Sequence, residues 1–287
     1  MVALAVALVG VARPAPLRAQ PASPTAAPGA VAVGALLRAT LSTLPPAPAA
    51  ITLDRVTFGP GGAEPMHTAA GPELAYVEAG SLTLQAGGPV QVERAPGGTG
   101  TPAPTAVASP GPARALGAGD ALIVPTGTPY ALRNAGTAAA TVLSARIVPA
   151  GTTAPAAAPA PGSDVLLARG TATALPAAPV LLTLNRVAYA PGAAIAAYPH
   201  TGPVLAYVEA GTLALPTAGG QVDVTHTVVP ATPGAQSGTP VLTTPGTTAT
   251  LRAGDSAFIH AGTVSAASNP GTGQLTLLVL ALAPATP

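Results

Sequence analysis

Residues 74–80 read LAYVEAG, and the same seven residues recur at 205–211, 131 positions later. The match extends upstream at the same spacing, where ITLDRVTFGPGGAEPMH from residue 51 aligns with LTLNRVAYAPGAAIAAYPH from residue 182. Downstream, GAGDALIVPTGTPYALRNAG from residue 117 aligns with RAGDSAFIHAGTVSAASNPG from residue 252, now at a spacing of 135. Because self-similarity over such lengths reflects the architecture, the chain is predicted to contain two copies of one fold.

The repeat predicts two units of ordinary domain size, 36–149 and 167–287. A Pro/Ala-rich stretch, 150–166, is expected to link them, and a similar stretch, 21–35, to precede the first unit. Residues 1–20 begin with an apolar run of about a dozen residues, the length of a secretory signal core and too short to span a bilayer. We therefore expect 1–20 to be a signal peptide and the protein to be secreted or periplasmic.

Charge and composition exclude several classes of function. The chain has 11 basic and 10 acidic residues, a formal net charge of +1, and no basic run, so neither nucleic acid nor an anionic membrane surface is an expected partner. Every cation is an arginine, and cysteine is absent. Schiff-base lysines, thiol nucleophiles and thiolate metal sites are therefore excluded. No apolar segment is long enough for a membrane span.

Within each copy, short runs of alternating or β-branched apolar residues are separated by Gly and Pro, as in ITLDRVTF and ATVLSARIVP. This pattern predicts short antiparallel strands joined by tight turns, and hence an all-β fold of sandwich, jelly-roll or barrel type. Only in residues 31–44 is the pattern of apolar residues also compatible with a helix. The Pro/Gly/Thr-rich segments 85–116 and 216–250 are longer than a hairpin requires and are expected to form surface ribbons or lids.

The motifs of the two copies resemble those of the cupin superfamily. Its first motif is Gly, five residues, His-x-His, three or four residues, Glu, six residues, Gly; its second is Gly, five residues, Pro-x-Gly, two residues, His, three residues, Asn. Copy one keeps every spacing, with Gly61, His67, Ala69, Glu73, Gly80, then Gly119, Pro125, Gly127, Tyr130, Asn134. Copy two aligns as Gly192, Tyr198, His200, Val204, Gly211, then Gly254, His260, Gly262, Ser265, Asn269. The resemblance implies a bicupin, two tandem jelly-roll (double-stranded β-helix) barrels.

In active cupins the motif histidines and the glutamate hold one metal ion inside the barrel. Here that ligand set is degenerate in both copies. Copy one retains His67 and Glu73, but has Ala69 and Tyr130 at the other two positions; copy two retains only His200. The candidate pocket residues are therefore His67, Glu73 and Tyr130 in the first barrel and Tyr198, His200 and Ser265 in the second.

Two functions are compatible with these positions. The favoured one is an exported, non-catalytic module that binds a small neutral or carbohydrate-like ligand or is structural, without a cofactor; homo-oligomerisation is a further expectation. The alternative is a metal-dependent cupin enzyme, of the oxygenase, decarboxylase or isomerase type. It would hold Mn, Fe, Ni, Cu or Zn in barrel 1 through His67, Glu73 and Tyr130.

The repeated heptapeptide contributes two further expectations. Tyr76 and Tyr207 are expected to be core residues, as the family's usual aromatic at that position implies. Glu78 and Glu209 lie two residues later, on the same strand face and just before a turn. They are expected to be solvated strand ends.

Overall fold

The structure, a computed structural model, describes residues 29–95, 104–107, 111–152, 160–227 and 240–285. The expected signal peptide, the start of the 21–35 linker and parts of both long loops lie outside these ranges. The described residues form strands and turns and contain no helix. The first eleven strands are β1 (Val31–Leu41), β2 (Ala49–Thr68), β3 (Glu73–Ala79), β4 (Ser81–Ala86), β5 (Val90–Glu93), β6 (Pro104–Val107), β7 (Arg114–Gly117), β8 (Ala121–Val124), β9 (Pro129–Arg133), β10 (Ala140–Pro149) and β11 (Ala160–Ala172).

Ten strands follow in the second half of the chain. They are β12 (Val180–Tyr189), β13 (Ala194–Pro199), β14 (Val204–Ala210), β15 (Thr212–Gly219), β16 (Val222–Thr225), β17 (Val241–Thr243), β18 (Thr248–Arg252), β19 (Ser256–Ile259), β20 (Val264–Ser268) and β21 (Leu275–Pro284).

The two halves have the same antiparallel topology. In barrel 2, one sheet has the order β1-β12-β21-β14-β19-β16-β17 and the facing sheet has the order β13-β20-β15-β18. In barrel 1 the strand order is β6-β5-β8-β3-β10-β2-β9-β4-β7. It is a single order because the long β2 continues from one sheet into the other and corresponds to both β12 and β13 of barrel 2. Two facing antiparallel sheets repeated twice confirm the expected pair of jelly-roll barrels.

The strand preceding each repeat pairs with the other barrel. β1 pairs with β12 of barrel 2, and β11 pairs with β2 of barrel 1. β1 includes most of residues 31–44, the segment whose sequence is also compatible with a helix. It forms a strand because its apolar residues alternate in exposure, with Leu37, Ala39 and Leu41 buried, and because the edge of β12 satisfies its backbone.

Three apolar clusters result from this arrangement. One fills the interior of barrel 1 around Phe58 and Leu132, and a second fills barrel 2 around Tyr189 and Leu251. The third lies between the barrels and combines residues of both, including Ile51, Leu143, Leu182, Leu280 and Tyr76, with Tyr207 packed against it. The expectation that Tyr76 and Tyr207 are core residues is confirmed. Alternate residues of the central strands therefore face either a barrel interior or the other barrel.

The motif glycines mark the turns. All eight have positive φ: Gly61, Gly80, Gly119, Gly127, Gly192, Gly211, Gly254 and Gly262. At Gly80 a Cβ would collide with the backbone of Ala139 and Ala140, and at Gly211 with that of Gln274 and Leu275. The glycine of the repeated heptapeptide is thus required both by its left-handed backbone and by the close approach of the neighbouring strand.

Within the described ranges, no helix has the length and apolar character needed to cross a bilayer.

Candidate functional site

Barrel 1 brings its three predicted pocket residues together. His67 near the end of β2 is the cross-strand neighbour of Tyr130 on β9, and Glu73 opens β3. The Tyr130 hydroxyl donates to Glu73 Oε2 at 2.5 Å, and both side chains are buried. The His67 and Tyr130 rings are tilted against each other with centroids 4.5 Å apart.

His67 is close to two carboxylates without bonding to either. Its Nε2 is buried and has no hydrogen-bond partner among the described residues, and it lies 3.6 Å from Glu64 Oε1 and 3.7 Å from Glu73 Oε2. Both distances are too long for a hydrogen bond. Its Nδ1 faces the carbonyl of Pro65 at 3.1 Å.

These residues do not fit the metal that the cupin motif implies. Ala69 carries no donor atom at the second histidine position. Burial first, and then the nearby Glu64 and Glu73 carboxylates, raise the pKa of Tyr130, so the phenol keeps its proton and acts as a donor to Glu73 rather than as a phenolate ligand. Within the described ranges, no group of three or more His, Cys, Asp or Glu side chains is arranged to hold a metal ion.

A cavity of about 40 Å³ lies inside barrel 1 beside this cluster, with room for about three water-sized groups. Its apolar walls include Phe58, Leu122, Val124, Leu132 and Val142. Its polar wall consists of Glu64, Glu73, Tyr130, Ser144, Arg146 and Asp164. His67 is not part of the lining. The lining of the cavity is therefore amphipathic and includes three carboxylates.

Four charged residues of this site were missed by motif reasoning. Glu64 lies between motif positions on β2, Asp54 and Arg146 lie on adjacent strands outside the motifs, and Asp164 lies on the exchanged strand β11. Arg146 Nη2 donates to Asp54 Oδ2 at 2.9 Å and lies 4.0 Å from Asp164. The signal that could have found Asp54, Glu64 and Arg146 is the repeat itself, since each aligns with an uncharged residue in copy two.

Two carboxyl groups at the cavity, those of Glu64 and Asp164, lie in surroundings that disfavour their charge. Burial, with a smaller contribution from Glu73, raises the pKa of Glu64, although His67 opposes the shift. Burial also raises the pKa of Asp164, with Asp54 adding to the effect and Arg146 opposing it. Negative charge at this wall is therefore only partly compensated by the protein.

Barrel 2 has different residues at the corresponding positions, with Val204 in place of Glu73 and Ser265 in place of Tyr130. His200 Nε2 and Ser265 Oγ are within hydrogen-bonding distance at 2.9 Å, and both residues are buried. Tyr198 stacks on His200 at 4.5 Å but is 48% exposed. Burial lowers the pKa of His200, so its imidazole is neutral at pH 7. The three predicted residues are adjacent, and the His200 and Ser265 side chains satisfy each other.

Glu78 and Glu209 are not solvated strand ends, so that expectation is wrong. They form a four-residue ring with Arg55 and Arg186 where the two barrels meet. Arg186 donates to Glu78 at 2.6 Å and to Glu209 at 2.7 Å, and Arg55 donates to the same two carboxylates at 2.8 Å and 2.7 Å. The glutamates face the other barrel, which the pattern of one repeat does not reveal.

Several solved structures are similar to this chain. AerE from Microcystis aeruginosa is 9% identical, with a TM-score of 0.43, covering 81% of this chain and 87% of its own. A mutant oxalate decarboxylase from Bacillus subtilis is 12% identical, with a TM-score of 0.40 and coverage of 80% and 68%. A cupin 2 conserved barrel domain protein from Leptotrichia buccalis is 9% identical, with a TM-score of 0.33 and coverage of 90% and 91%.

No family model and no curated protein sequence matches the chain. Its own motif spacings and strand order identify the fold as two tandem barrels of the cupin type.

Proposed function

We propose that this protein is a non-catalytic small-molecule-binding module whose ligand site is the cavity in barrel 1. The lining of that cavity supports the proposal, because it combines six polar residues with a larger number of apolar ones. Small-molecule sites typically combine apolar contact area with a few converging polar groups. The volume favours a ligand of a few heavy atoms over a whole sugar ring.

Among the described residues, none that lines the cavity is an activated nucleophile, which supports binding rather than catalysis. The cavity wall offers one serine hydroxyl, Ser144, and His67, the histidine of this cluster, is not part of the lining. Tyr130 already donates a hydrogen bond to Glu73, and Arg146 already donates one to Asp54. Groups that satisfy one another can hold and orient a ligand but do not form a nucleophile and base pair.

Barrel 2 supplies the variant that tests the site. Glu64, Glu73 and Ser144 correspond in the repeat to Ile195, Val204 and Val279. A triple variant, Glu64→Ile, Glu73→Val, Ser144→Val, gives barrel 1 the residues that barrel 2 already accommodates. It should fold and lose the ligand site.

The experiment is a thermal-shift screen of small alcohols, polyols, sugars, amines and carboxylates against the natural protein and the triple variant. A ligand that binds only the native state raises Tm with concentration. We expect at least one compound class to stabilise the natural protein and not the variant, and NMR to recover the ligand unchanged. If no compound shifts Tm, or if hits shift both proteins equally, the barrel 1 site is refuted.

Divalent metal is the competing occupant and needs its own assay. Elemental analysis of untagged protein for Mn, Fe, Ni, Cu and Zn, with a thermal-shift series of the same ions, separates the two functions. Stoichiometric metal that is lost in the triple variant would replace the proposed function with a metal-dependent one.

We also propose export of the protein, which the apolar run in 1–20 supports. Fractionation of cells expressing the full chain, with and without residues 1–20, tests it: the full chain should leave the cytoplasm and the truncated chain should stay.

A further inference from the structure

The two barrels differ systematically in charge at the positions around the cavity. Each of the five charged residues of the barrel 1 site has an uncharged counterpart in barrel 2, and the strand registers agree on each pairing. The pairs are Asp54 with Asn185, Glu64 with Ile195, Glu73 with Val204, Arg146 with Ala281, and Asp164 with Val33. Since barrel 2 forms the same fold without these charges, the fold does not require them.

The charges in barrel 1 are also unbalanced. Four carboxylates accompany one guanidinium, which already donates to Asp54, and one imidazole, that of His67, which lies 3.6 Å from Glu64 and 3.7 Å from Glu73 without a hydrogen bond to either. Glu73 has 5% of its side chain exposed, and its Oε2 accepts from Tyr130, but no described residue donates to its Oε1. The side-chain carboxylate of Glu64 likewise accepts no hydrogen bond from any described side chain or backbone group. Two carboxylates at the cavity therefore have acceptor capacity that the described part of the protein leaves unused.

The accessible edge of the cavity is acidic as well. Glu64 has 26% and Asp164 has 34% of the side chain exposed, whereas Glu73 and Tyr130 lie deeper. A ligand that enters past Glu64 and Asp164 reaches Glu73 with the apolar wall of Phe58, Leu132 and Val142 beside it. Hydrogen bonds from a cationic donor to a carboxylate are about twice as strong as neutral ones.

We infer that the barrel 1 cavity binds a small organic cation, a primary ammonium with a short alkyl group, whose nitrogen donates to Glu73 and Glu64. This inference rests on the proposed function and names its ligand class. The alkyl part contacts the apolar wall, which a bare metal ion would leave unused. The volume limits the ligand to about three heavy atoms.

The test compares three molecules of nearly equal size: ethylammonium, ethanol and acetate. Each is titrated at pH 7.5 into the full-length, isotope-labelled protein, and the dissociation constant is taken from amide chemical-shift changes in barrel 1. We expect saturable binding of ethylammonium, at least about tenfold weaker binding of ethanol, and no binding of acetate, because an uncompensated carboxylate pair attracts a cation and repels an anion.

Two variants and one control locate the effect. Glu73→Gln is expected to weaken ethylammonium binding by about tenfold, because it removes one charge from the ammonium site. Glu64→Gln should have the same effect for the same reason, and it replaces the first variant if that one does not fold. Asp223→Asn removes a carboxylate of barrel 2 that bonds to His260 at 2.9 Å. It should leave the affinity unchanged.

The outcomes separate the two proposals. If ethanol binds barrel 1 as tightly as ethylammonium, or the Gln variants bind ethylammonium normally, the cation inference fails and the pocket stands. If all three probes fail but the wider screen finds a barrel 1 ligand, again only the cation inference fails. If that screen is also silent, both fail. If Mn²⁺ or Zn²⁺ displaces ethylammonium and binds more tightly through Glu73, the ligand is an inorganic ion and the organic class is wrong.

Discussion

At the scale of single residues, the barrel 1 site centres on the hydrogen bond between the Tyr130 phenol and the Glu73 carboxylate. Tyr130 stands where the cupin motif has its last histidine, and it donates its proton to Glu73 within the barrel. The Glu73 carboxylate is therefore held by a hydrogen bond. What distinguishes this site is the excess of carboxylate around that bond.

Removing the phenol hydroxyl tests how strongly it holds Glu73. We expect Tyr130→Phe to lower the free energy of unfolding by about 2 kcal/mol, because it deprives a buried carboxylate of its donor. The control is Tyr189→Phe in barrel 2, which removes a hydroxyl from a tyrosine that is also buried, at 4% exposure. No described side chain bonds to that hydroxyl, so little change is expected. Urea denaturation measures both, and equal effects would contradict the account.

Glu64 should reduce stability at neutral pH. Its pKa is raised above the ordinary 4.5, chiefly by burial. A carboxyl whose pKa is raised by folding has no effect on stability below its unfolded pKa, destabilises the native state increasingly as the pH rises above that value, and has its full effect above the folded pKa. Glu64→Gln should therefore raise Tm at pH 7, and the difference should disappear as the pH falls to about 4. A lower Tm for the variant at pH 7 would contradict this.

At the scale of strands, the exchanged segments β1 and β11 tie the barrels together. β11 lies along β2 of barrel 1, while its Gly170 lies under the ring of Phe258 in barrel 2. A Cβ at Gly170 would overlap that ring. In the repeat, the equivalent positions are Ala39 on β1 and Ile123 on β8. At this position β11 thus has a glycine opposite a phenylalanine, whereas β1 has an alanine and the equivalent position of β8 an isoleucine.

A two-residue swap tests this packing. Gly170→Ala alone should destabilise the protein by about 1–3 kcal/mol, because the added methyl group overpacks the contact with Phe258. The double variant Gly170→Ala, Phe258→Ile recreates the pair found at Ala39 and Ile123, and should recover most of the loss. Thermal unfolding of the double variant and of both single variants, Gly170→Ala and Phe258→Ile, gives the measurement. Additive losses would show that the two positions do not contact each other.

The strand exchange also shows where sequence reasoning reached its limit. Alternating apolar residues and the turn glycines predicted the barrels, because period two and positive φ are local properties. The partner of a strand is not local. β1 and β11 look like the starts of their own repeats, yet their hydrogen bonds go to the opposite barrels. Asp164 reaches the barrel 1 cavity only through that exchange, so no motif could place it there.

At the scale of the whole molecule, the barrels are joined by an apolar cluster and a ring of four charges. Arg55 and Arg186 each bond to both Glu78 and Glu209, which are 3% and 16% exposed. Burial alone would lower the pKa of both arginines, but the bonds to the glutamates outweigh it and raise the pKa. The ring satisfies charges that the contact between barrels removes from water.

Breaking the ring should be far more damaging than removing a half-exposed arginine from a buried aspartate that keeps two backbone N–H donors. Glu78→Ala leaves two arginines with one shared carboxylate, Glu209, in place of two, and should lower the free energy of unfolding by about 3–5 kcal/mol. Arg94 pairs with Asp120 at 2.7 Å with 47% of its side chain exposed. Arg94→Ala should cost at most about 1 kcal/mol. Urea denaturation compares them, and similar losses would mean that the ring is solvated.

Fluorine NMR distinguishes a ligand site in barrel 1 from one in barrel 2. The chain has five tyrosines, so labelling with 3-fluorotyrosine gives five resonances, with Tyr130 reporting on the barrel 1 cavity and Tyr198 on the corresponding region of barrel 2. During titration with ethylammonium, or with the best ligand from the screen, the Tyr130 resonance should shift and saturate while that of Tyr198 stays fixed. A saturating shift at Tyr198 with Tyr130 unmoved would contradict the account.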